Sequence, residues 1–165
     1  MKTYRSAREL LAEVKRVLAA KPSRQHPPLD DVIELLCRGR HYTWMGIYLA
    51  VGKSTPQQLL GAGGEAHPGQ TALPETQSKI LVTMKLAGRE LGVLDVESAR
   101  ENAFGAEDRV LLENVAATLA RFLAGAGKYV ARKAREADAA SAGPKARGPQ
   151  PAPAKPIRSA AVGEK

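Results

Sequence analysis

The sequence contains a single cysteine, Cys37, among its 165 residues. One thiol excludes both an internal disulfide and a metal centre built from several cysteines. No apolar run approaches the roughly 18 residues that a membrane span needs, and the N-terminal residues mix charge into every turn, unlike a signal peptide. We therefore expect a cytoplasmic protein with no membrane association, no bound metal and no cofactor.

Aromatic residues are also scarce, at 4% of the chain, whereas 44% of the residues are hydrophobic, which is enough for the core of one domain. The net charge of +8 is unevenly distributed: up to Gly127 there are 16 basic and 14 acidic residues, and after it 9 and 3. The segment from Ser141 to Lys165 is rich in Pro, Ala, Gly and Lys, which predicts disorder. Nucleic acid or another anionic partner is expected only through this basic tail.

The hydrophobic periodicity predicts two N-terminal helices, an antiparallel sheet and a long C-terminal helix. Ser6 and Glu9 form a capping box that begins the first helix, and the second helix follows in "LDDVIELLCRG". A strand is predicted in "YTWMGIYLAV", a short strand can form in "QQLLGA", and "KILVTMKLAGRELGVLDVES" reads as a β-hairpin with Gly88 in its turn. The segment "FGAEDRVLLENVAATLARFLAG" is the last helix. This order indicates an α+β fold: one antiparallel sheet with the terminal helices packed on one face.

Two acidic residues interrupt the apolar pattern of the hairpin. Asp95 and Glu97 alternate with apolar residues in its second strand, so both point to one side, with Val93. They can mark the end of the strand, where a sheet face becomes solvated. They can equally be polar acceptors in a ligand cavity, with Trp44 and Tyr48 from another strand as an aromatic wall.

The stretch "LLGAGGEAHPGQTALPETQSK", from Leu59 to Lys79, raises the question of a nucleotide site. Gly61, Gly63 and Ala66 match a relaxed form of the dinucleotide-binding fingerprint, which requires a helix directly after the glycines. The residues "HPGQTALPE" follow instead, and their prolines and glycine oppose a helix. We therefore interpret the stretch as a flexible connection and not as a phosphate loop.

The remaining candidates for catalysis or metal binding favour structural roles. Cys37 lies late in the second predicted helix, and a helix C-terminus does not activate a thiol as a nucleophile. His26, His41 and His67 lie in predicted loops without a partner at helical spacing, so they form no expected metal site.

The segments "YTWMGIYLA" and "SKILVTMKLAGRELGVLDVESARENAFGAEDRVLLENVAATLA" together resemble a GAF domain, and most of all the branch that contains the free methionine-(R)-sulfoxide reductases. That branch has a W-x-G-x-Y strand, then S-E-I-x-V-P, a G-x-x-x-G-x-L-D-x-[DE]-S hairpin and an F-x-x-x-D-x-x-x-L-E helix. The resemblance extends from Leu29 to Leu123, and the hairpin with the following helix is its specific part.

The resemblance implies a ligand site on the sheet. It puts Trp44 and Tyr48 in an aromatic substrate wall, and Asp95 and Glu97 at the two acidic positions of the hairpin motif. The third acid of the family, in S-E-I, is Lys79 here. This reversal of charge implies a site that repels a cation and suits an anion.

The resemblance also implies a missing segment. In the family, the residues between the second strand and S-E-I hold further strands and the catalytic cysteines, whereas this chain has only the Leu59 to Lys79 connection. Cys37 precedes the W-x-G-x-Y strand and matches no catalytic position. We therefore expect no thiolate nucleophile, no catalytic residue and no enzymatic activity.

Together these observations predict three regions: residues 1–25 as an N-terminal helix and linker, 26–127 as a shortened GAF-like domain, and 128–165 as a helical extension with a basic disordered tail. The favoured function is a non-catalytic regulatory module for small-molecule binding or protein interaction. The alternatives are a free methionine-(R)-sulfoxide reductase with a rearranged site, and an adaptor whose tail binds anionic partners. The apolar stripe of the C-terminal helix predicts a homodimer through the terminal helices.

Overall fold

The computed structural model of the chain describes residues 4–21, 25, 27–50, 57–64 and 75–141. These residues form four helices and four strands. In chain order the elements are α1 (Ala7–Ala19), α2 (Pro28–Gly39), β1 (Trp44–Ala50), β2 (Gln57–Gly64), β3 (Ser78–Leu86), β4 (Arg89–Ser98), α3 (Ala106–Ala124) and α4 (Lys128–Ser141).

The four strands form one antiparallel sheet in the order β2-β1-β4-β3. The predicted hairpin joins β3 to β4, and its turn residues Ala87 and Gly88 both have positive φ, at 50° and 74°. Two consecutive residues with left-handed backbone conformation match the twist of strands that are joined by a two-residue turn. The predicted Gly88 turn therefore sets the geometry of the hairpin.

One irregularity interrupts this hairpin. The register shifts by one residue between Met84 and Lys85, next to Gly92 on the facing strand. Gly92 also faces β1 so closely that a side chain there would collide with the carbonyl oxygen of Tyr48. Glycine is thus required where the three strands meet at the bulge.

One face of the sheet is apolar and covered by helices. α2 packs on β1 and β2, α3 packs on β3 and β4, and α1 rests on α2 and α3. The sheet residues at the centre of this layer are fully buried: Met45, Ile47, Met84, Leu94 and Val96. Burial of each such side chain stabilises the fold by about 1.5–3 kcal/mol relative to leaving it exposed. The predicted α+β fold, with helices on one face of an antiparallel sheet, is confirmed.

The glycines of β2 allow α2 to lie directly on the sheet. A Cβ atom at Gly63 would lie 2.9 Å from Cγ2 of Ile33, and one at Gly61 would lie 3.2 Å from Oδ1 of Asp30. The stretch that begins at Leu59 was predicted to be a flexible connection, but as far as Gly64 it belongs to β2. Residues 65–74 of that stretch lie outside the described residues.

The N-terminal helix begins as predicted and joins the same core. Ser6 Oγ accepts a hydrogen bond from the amide of Glu9, and the Glu9 carboxylate accepts one from the amide of Ser6, both at 3.3 Å. Leu10, Val14 and Leu18 are buried in the cluster that contains the sheet residues. The boundaries at residues 25 and 127 stay predictions.

The apolar stripe of α3 is buried against other elements of the same chain. Leu111, Leu112, Val115 and Leu119 are at most 1% exposed, whereas Val110 is 57% exposed. The surplus apolar surface that suggested a homodimer is therefore small on this helix, and the homodimer stays a prediction.

The chain continues past α3 into α4, and the part Lys128–Ala137 of α4 is bent by 78° relative to α3. Ser141, where the predicted disordered tail begins, is the last residue of α4, and the rest of that tail lies outside the described residues. Within the described ranges no single helix meets the length and hydropathy required to cross a membrane; only the bent pair of α3 and α4 meets them jointly.

Candidate functional site

The second face of the sheet carries all five residues that the sequence pointed to. Trp44 pairs with Glu97, and Glu97 pairs in turn with Lys79, so these three residues lie side by side across β1, β4 and β3. Asp95 and Tyr48 lie two and four residues further along the same face. We call these five residues the sheet site.

The three charged members form a compact cluster. Lys79 Nζ lies 2.9 Å from Oδ2 of Asp95 and 3.5 Å from Oε1 of Glu97. Asp95 and Glu97 are buried, at 6% and 0% exposure, whereas the Lys79 side chain is 42% exposed. The lysine is therefore the member of the cluster that can leave it without moving the sheet.

At Asp95 and Lys79, burial and ion pairing have opposite effects on the pKa. Burial raises the pKa of Asp95, and the ion pair with Lys79 opposes this rise without cancelling it. The hydrogen bond to Asp95 raises the pKa of Lys79 in spite of the partial loss of hydration. Burial also raises the pKa of the Tyr48 phenol, and the nearby negative charge of Asp95 adds to the rise. Tyr48 is thus a neutral hydroxyl next to a charged pair.

Two aromatic rings converge over a glycine in β1. A Cβ atom at Gly46 would lie 2.5 Å from Cη2 of Trp44 and 3.0 Å from Cε2 of Tyr48. Gly46 therefore lets both rings lie against the sheet beside Asp95, its pairing partner on β4. The two rings thus lie together on this face, and their role as an aromatic wall for a ligand stays a prediction.

One member of the site was missed from the sequence. Thr76, just before β3, donates a hydrogen bond from Oγ1 to Oε2 of Glu97 at 2.8 Å. No periodic signal marks Thr76, because it lies in the connection ahead of the strand. The hydrogen bond restricts the orientation of the Glu97 carboxylate.

One buried atom of the cluster has an unused hydrogen-bonding capacity. In the part of the chain that the structure describes, Oδ1 of Asp95 is buried and accepts no hydrogen bond. An unsatisfied buried acceptor costs about 1–3 kcal/mol, so its presence calls for an explanation.

Lys79 does not act in the structure as its sequence position implied. As an isolated positive charge it would repel a cation and attract an anion. Because it already pairs with Asp95 and Glu97, the three charges sum to one negative charge. The cluster therefore has a net negative charge, and the preference for an anionic ligand stays a prediction.

Cys37 lies on the other side of the sheet from this site. It is 8% exposed and belongs to the core cluster of Met45 and Ile47. It also lines a cavity of 320 Å³ between α2 and β2, together with Asp30 and Ile33. Among the described residues no group of three or more His, Cys, Asp or Glu side chains could hold a metal ion.

Similarity to known proteins is found in structure and not in sequence. No family model and no curated protein matches the sequence. The structure is similar to a free methionine-R-sulfoxide reductase from Neisseria meningitidis in complex with its substrate, with a TM-score of 0.61 and 21% identity over 81% of this chain and 99% of that one.

Two further similar structures come from different proteins. One is the GAF domain of an Acinetobacter phosphoenolpyruvate-protein phosphotransferase, with a TM-score of 0.62 and 16% identity over 74% of this chain and 96% of that one. The other is a type II free methionine-R-sulfoxide reductase from Thermoplasma acidophilum, with a TM-score of 0.50 and 18% identity over 69% and 94%.

These similarities contradict the prediction that the chain is not an enzyme. That prediction rested on the shortened Leu59 to Lys79 connection and on the position of Cys37. The structures similar to this chain include free methionine-R-sulfoxide reductases, which are enzymes, beside GAF domains of other proteins. The same fold thus occurs in free methionine-R-sulfoxide reductases and in GAF domains of other proteins, and the fold alone does not set the function. From its sheet order, its helix-covered face and these similarities, the chain has the GAF fold.

Proposed function

We propose that the chain is a regulatory module that binds a small zwitterionic molecule at the sheet site. The observation that carries the proposal is the buried Oδ1 atom of Asp95, which accepts no hydrogen bond from the described residues. A ligand ammonium group would satisfy this acceptor. The cost of leaving it unsatisfied in the free protein would then be recovered on binding.

The charges of the site support a ligand with both signs of charge. The buried acids Asp95 and Glu97 supply two negative charges, and the half-exposed Lys79 supplies one positive charge. A ligand ammonium would displace Lys79 from the acids, and a ligand carboxylate would then pair with the released lysine. A free amino acid carries both groups.

The aromatic wall supports an amino acid with an apolar or sulfur-containing side chain. The rings of Trp44 and the half-buried Tyr48 lie over Gly46, next to Asp95, and sulfur makes favourable contacts with aromatic rings. The similar Neisseria meningitidis reductase was solved with its substrate, a free methionine-R-sulfoxide by its name. Free methionine sulfoxide is therefore the first ligand to test.

Trp44 provides the test, because it is the only tryptophan in the sequence. Titration with free methionine sulfoxide should change its fluorescence saturably. N-acetylmethionine sulfoxide, which has no ammonium group, should bind at least about tenfold more weakly, a loss of about 1.4 kcal/mol. Equal affinity for the two compounds would refute the role of the acids.

A pair of variants in β4 separates a specific role of Asp95 from a general effect of charge. Asp95→Asn should weaken binding at least about tenfold, since the acceptor loses its charge. Glu90→Gln removes an exposed carboxylate from the same strand and should leave the affinity unchanged. If both variants bind as the unmodified chain does, the ligand does not contact the sheet site.

Lys79→Ala distinguishes the two proposed roles of the lysine. Methioninamide sulfoxide has an ammonium group but no carboxylate, and it should bind Lys79→Ala more tightly than the unmodified chain because the competing cation is gone. Methionine sulfoxide should gain less, because it also loses the partner of its carboxylate. A uniform change for both ligands would contradict displacement of Lys79.

A methionine sulfoxide reductase is the second candidate, favoured by the similarity to the two reductases. Incubation of the chain with methionine sulfoxide and dithiothreitol should then release methionine, and Asp95→Asn should slow the release at low substrate concentration. Cys37→Ser would reveal whether the sole thiol takes part. Absence of methionine would reject this candidate and leave the binding proposal to its own test.

A further inference from the structure

The helix α4 presents a row of cations to a cleft away from the sheet site. Lys128, Arg132 and Arg135 follow one another at i, i+4 and i+7, so they share one face of the helix. All three line the cleft, which has a volume of 710 Å³. We call this cleft, between α4, the end of α3 and the ends of β1 and β4, the α4 cleft.

The floor of the α4 cleft is apolar. Leu49 of β1, Leu91 of β4 and Leu123 of α3 meet there, and Ala131 of α4 lies between the cations. Leu49 and Leu123 are 2% and 4% exposed, and Leu91 is half-buried. The cleft thus combines an apolar floor with a cationic rim, and its volume is in the range of small-molecule sites.

The charges at the rim have the same sign. Among the described residues that line the cleft none is acidic. One rim residue takes part in an ion pair: Nε of Arg132 lies 3.8 Å from Oε1 of Glu136, and both side chains are at least 70% exposed, so the pair is solvated and weak. Lys128 begins α4, and the positive end of the helix adds to the rim potential.

We propose that the α4 cleft binds an alkyl carboxylate, with the chain of the ligand on the leucine floor and its carboxylate between Arg132 and Arg135. Guanidinium groups suit this head group, because they form paired hydrogen bonds with a carboxylate. A neutral lipid would leave the rim without a partner, and a small inorganic anion would leave the floor without one.

The sequence beyond α4 does not supply such an occupant. Residues 142–165 contain five basic residues and one acidic residue, so the rim repels this segment. Charge complementarity therefore favours an external anion over the chain's own tail.

The first experiment varies the ligand and keeps the full chain unchanged. In calorimetric titrations, decanoate below its micelle concentration should bind saturably at one site. Decanol retains the chain and lacks the charge, and acetate retains the charge and lacks the chain. Each should bind at least about tenfold more weakly than decanoate, since apolar burial and charge pairing both contribute. No saturable binding of decanoate, or equal binding of decanol, would overturn the proposal.

The second experiment locates the site with charge-matched variants. Arg132→Glu combined with Arg135→Glu should weaken decanoate binding at least about tenfold. Arg8→Glu combined with Arg109→Glu makes the same change of net charge at exposed positions of α1 and α3 and should leave binding unchanged. Equal losses in both double variants would mean that decanoate responds only to net charge and would refute the site.

Discussion

Two buried carboxylates, Asp108 and Asp95, each meet a cation, but only one of them is fully satisfied. Both oxygens of Asp108 accept hydrogen bonds: Oδ1 from Arg40 Nε at 3.1 Å, Arg40 Nη2 at 2.6 Å and the Tyr42 hydroxyl at 2.8 Å, and Oδ2 from the amide of Gly105 at 3.3 Å. Asp95 meets Lys79 through Oδ2 alone. The two residues are similarly buried, at 5% and 6% exposure, so burial does not explain the difference.

The pKa values follow the number of donors. Burial raises the pKa of Asp108, but the hydrogen bonds from Arg40 and Tyr42 outweigh it and leave the pKa below its usual value. At Asp95 burial outweighs the contact with Lys79, and the pKa is raised. The hydrogen bonds of the Asp108 cluster therefore favour its ionised form in the fold, whereas Oδ1 of Asp95 accepts no hydrogen bond from the described residues.

The largest expected difference between the clusters comes from removing their cations. Arg40 is 1% exposed, and Arg40→Met leaves the Asp108 charge buried, which should lower the free energy of unfolding by about 3–5 kcal/mol. Lys79→Met also leaves buried acids without their cation, but water reaches the half-exposed lysine position, so it should cost less, about 1–2 kcal/mol. Urea denaturation at pH 7 measures both. Similar losses would contradict the division into a structural and a functional cluster.

A smaller difference is expected when each aspartate becomes its neutral amide. Asp108→Asn weakens charge-assisted hydrogen bonds and should cost about 1.5–3 kcal/mol at pH 7. Asp95→Asn removes a charge that burial disfavours, so stability should change by less than about 1 kcal/mol or increase. The same Asp95→Asn protein should lose ligand affinity, and a parallel loss of stability would speak against a functional acceptor.

The pH dependence of these two variants should have opposite signs. The lowered pKa of Asp108 stabilises the fold above the usual value of 3.8, and this contribution is lost as the pH falls from 3.8 through the folded-state pKa. The raised pKa of Asp95 gives a contribution that is present below 3.8 and is lost as the pH rises through its folded-state pKa. The deficit of Asp108→Asn should therefore shrink below pH 3.8, whereas any gain of Asp95→Asn should appear above it.

The smallest difference should come from the two neutral donors. Tyr42→Phe removes a buried hydrogen bond to Asp108 and should cost about 1.5 kcal/mol, whereas Thr76→Val removes a half-buried bond to Glu97 and should cost about 0.5 kcal/mol. Thermal unfolding resolves this difference if both proteins are measured in one buffer. A larger cost for Thr76→Val would mean that the sheet site also contributes substantially to stability.

The sequence predicted the elements and the faces of the sheet better than the contacts between them. Alternation correctly placed Asp95 and Glu97 on one face of β4, because that pattern is local, and the structure buries Leu94 and Val96 on the opposite face. The glycines of β2 were misread, since their role depends on α2, which the chain places against Gly61 and Gly63. The local sequence pattern does not indicate how closely α2 approaches β2.

The residue that pairs with Lys79 across the hairpin could not be predicted by counting residues from the turn. Counting outward from the pair Leu86 and Arg89 would put Lys79 opposite Val96, whereas the bulge at Met84 puts it opposite Glu97. A shift by one residue exchanges the faces of a strand, so the cluster depends on an irregularity that the sequence does not display. Lys79 was assigned to the site only from the resemblance to the GAF family.

The Asp108 cluster, which contains Arg40, also affects the local unfolding of α1. Arg40 Nη1 donates a hydrogen bond to the carbonyl of Arg5 at 3.1 Å, the amide of Arg5 donates one to the carbonyl of Gly39 at 2.9 Å, and the ring of Tyr4 lies 4.1 Å from the Arg40 guanidinium carbon. Chain ends usually fray. Here the start of α1 is fastened to α2 and, through Asp108, to α3, so α1 cannot detach without breaking the most completely satisfied cluster described here. The amide protons of α1 should therefore exchange with solvent only in the cooperative opening of all three helices.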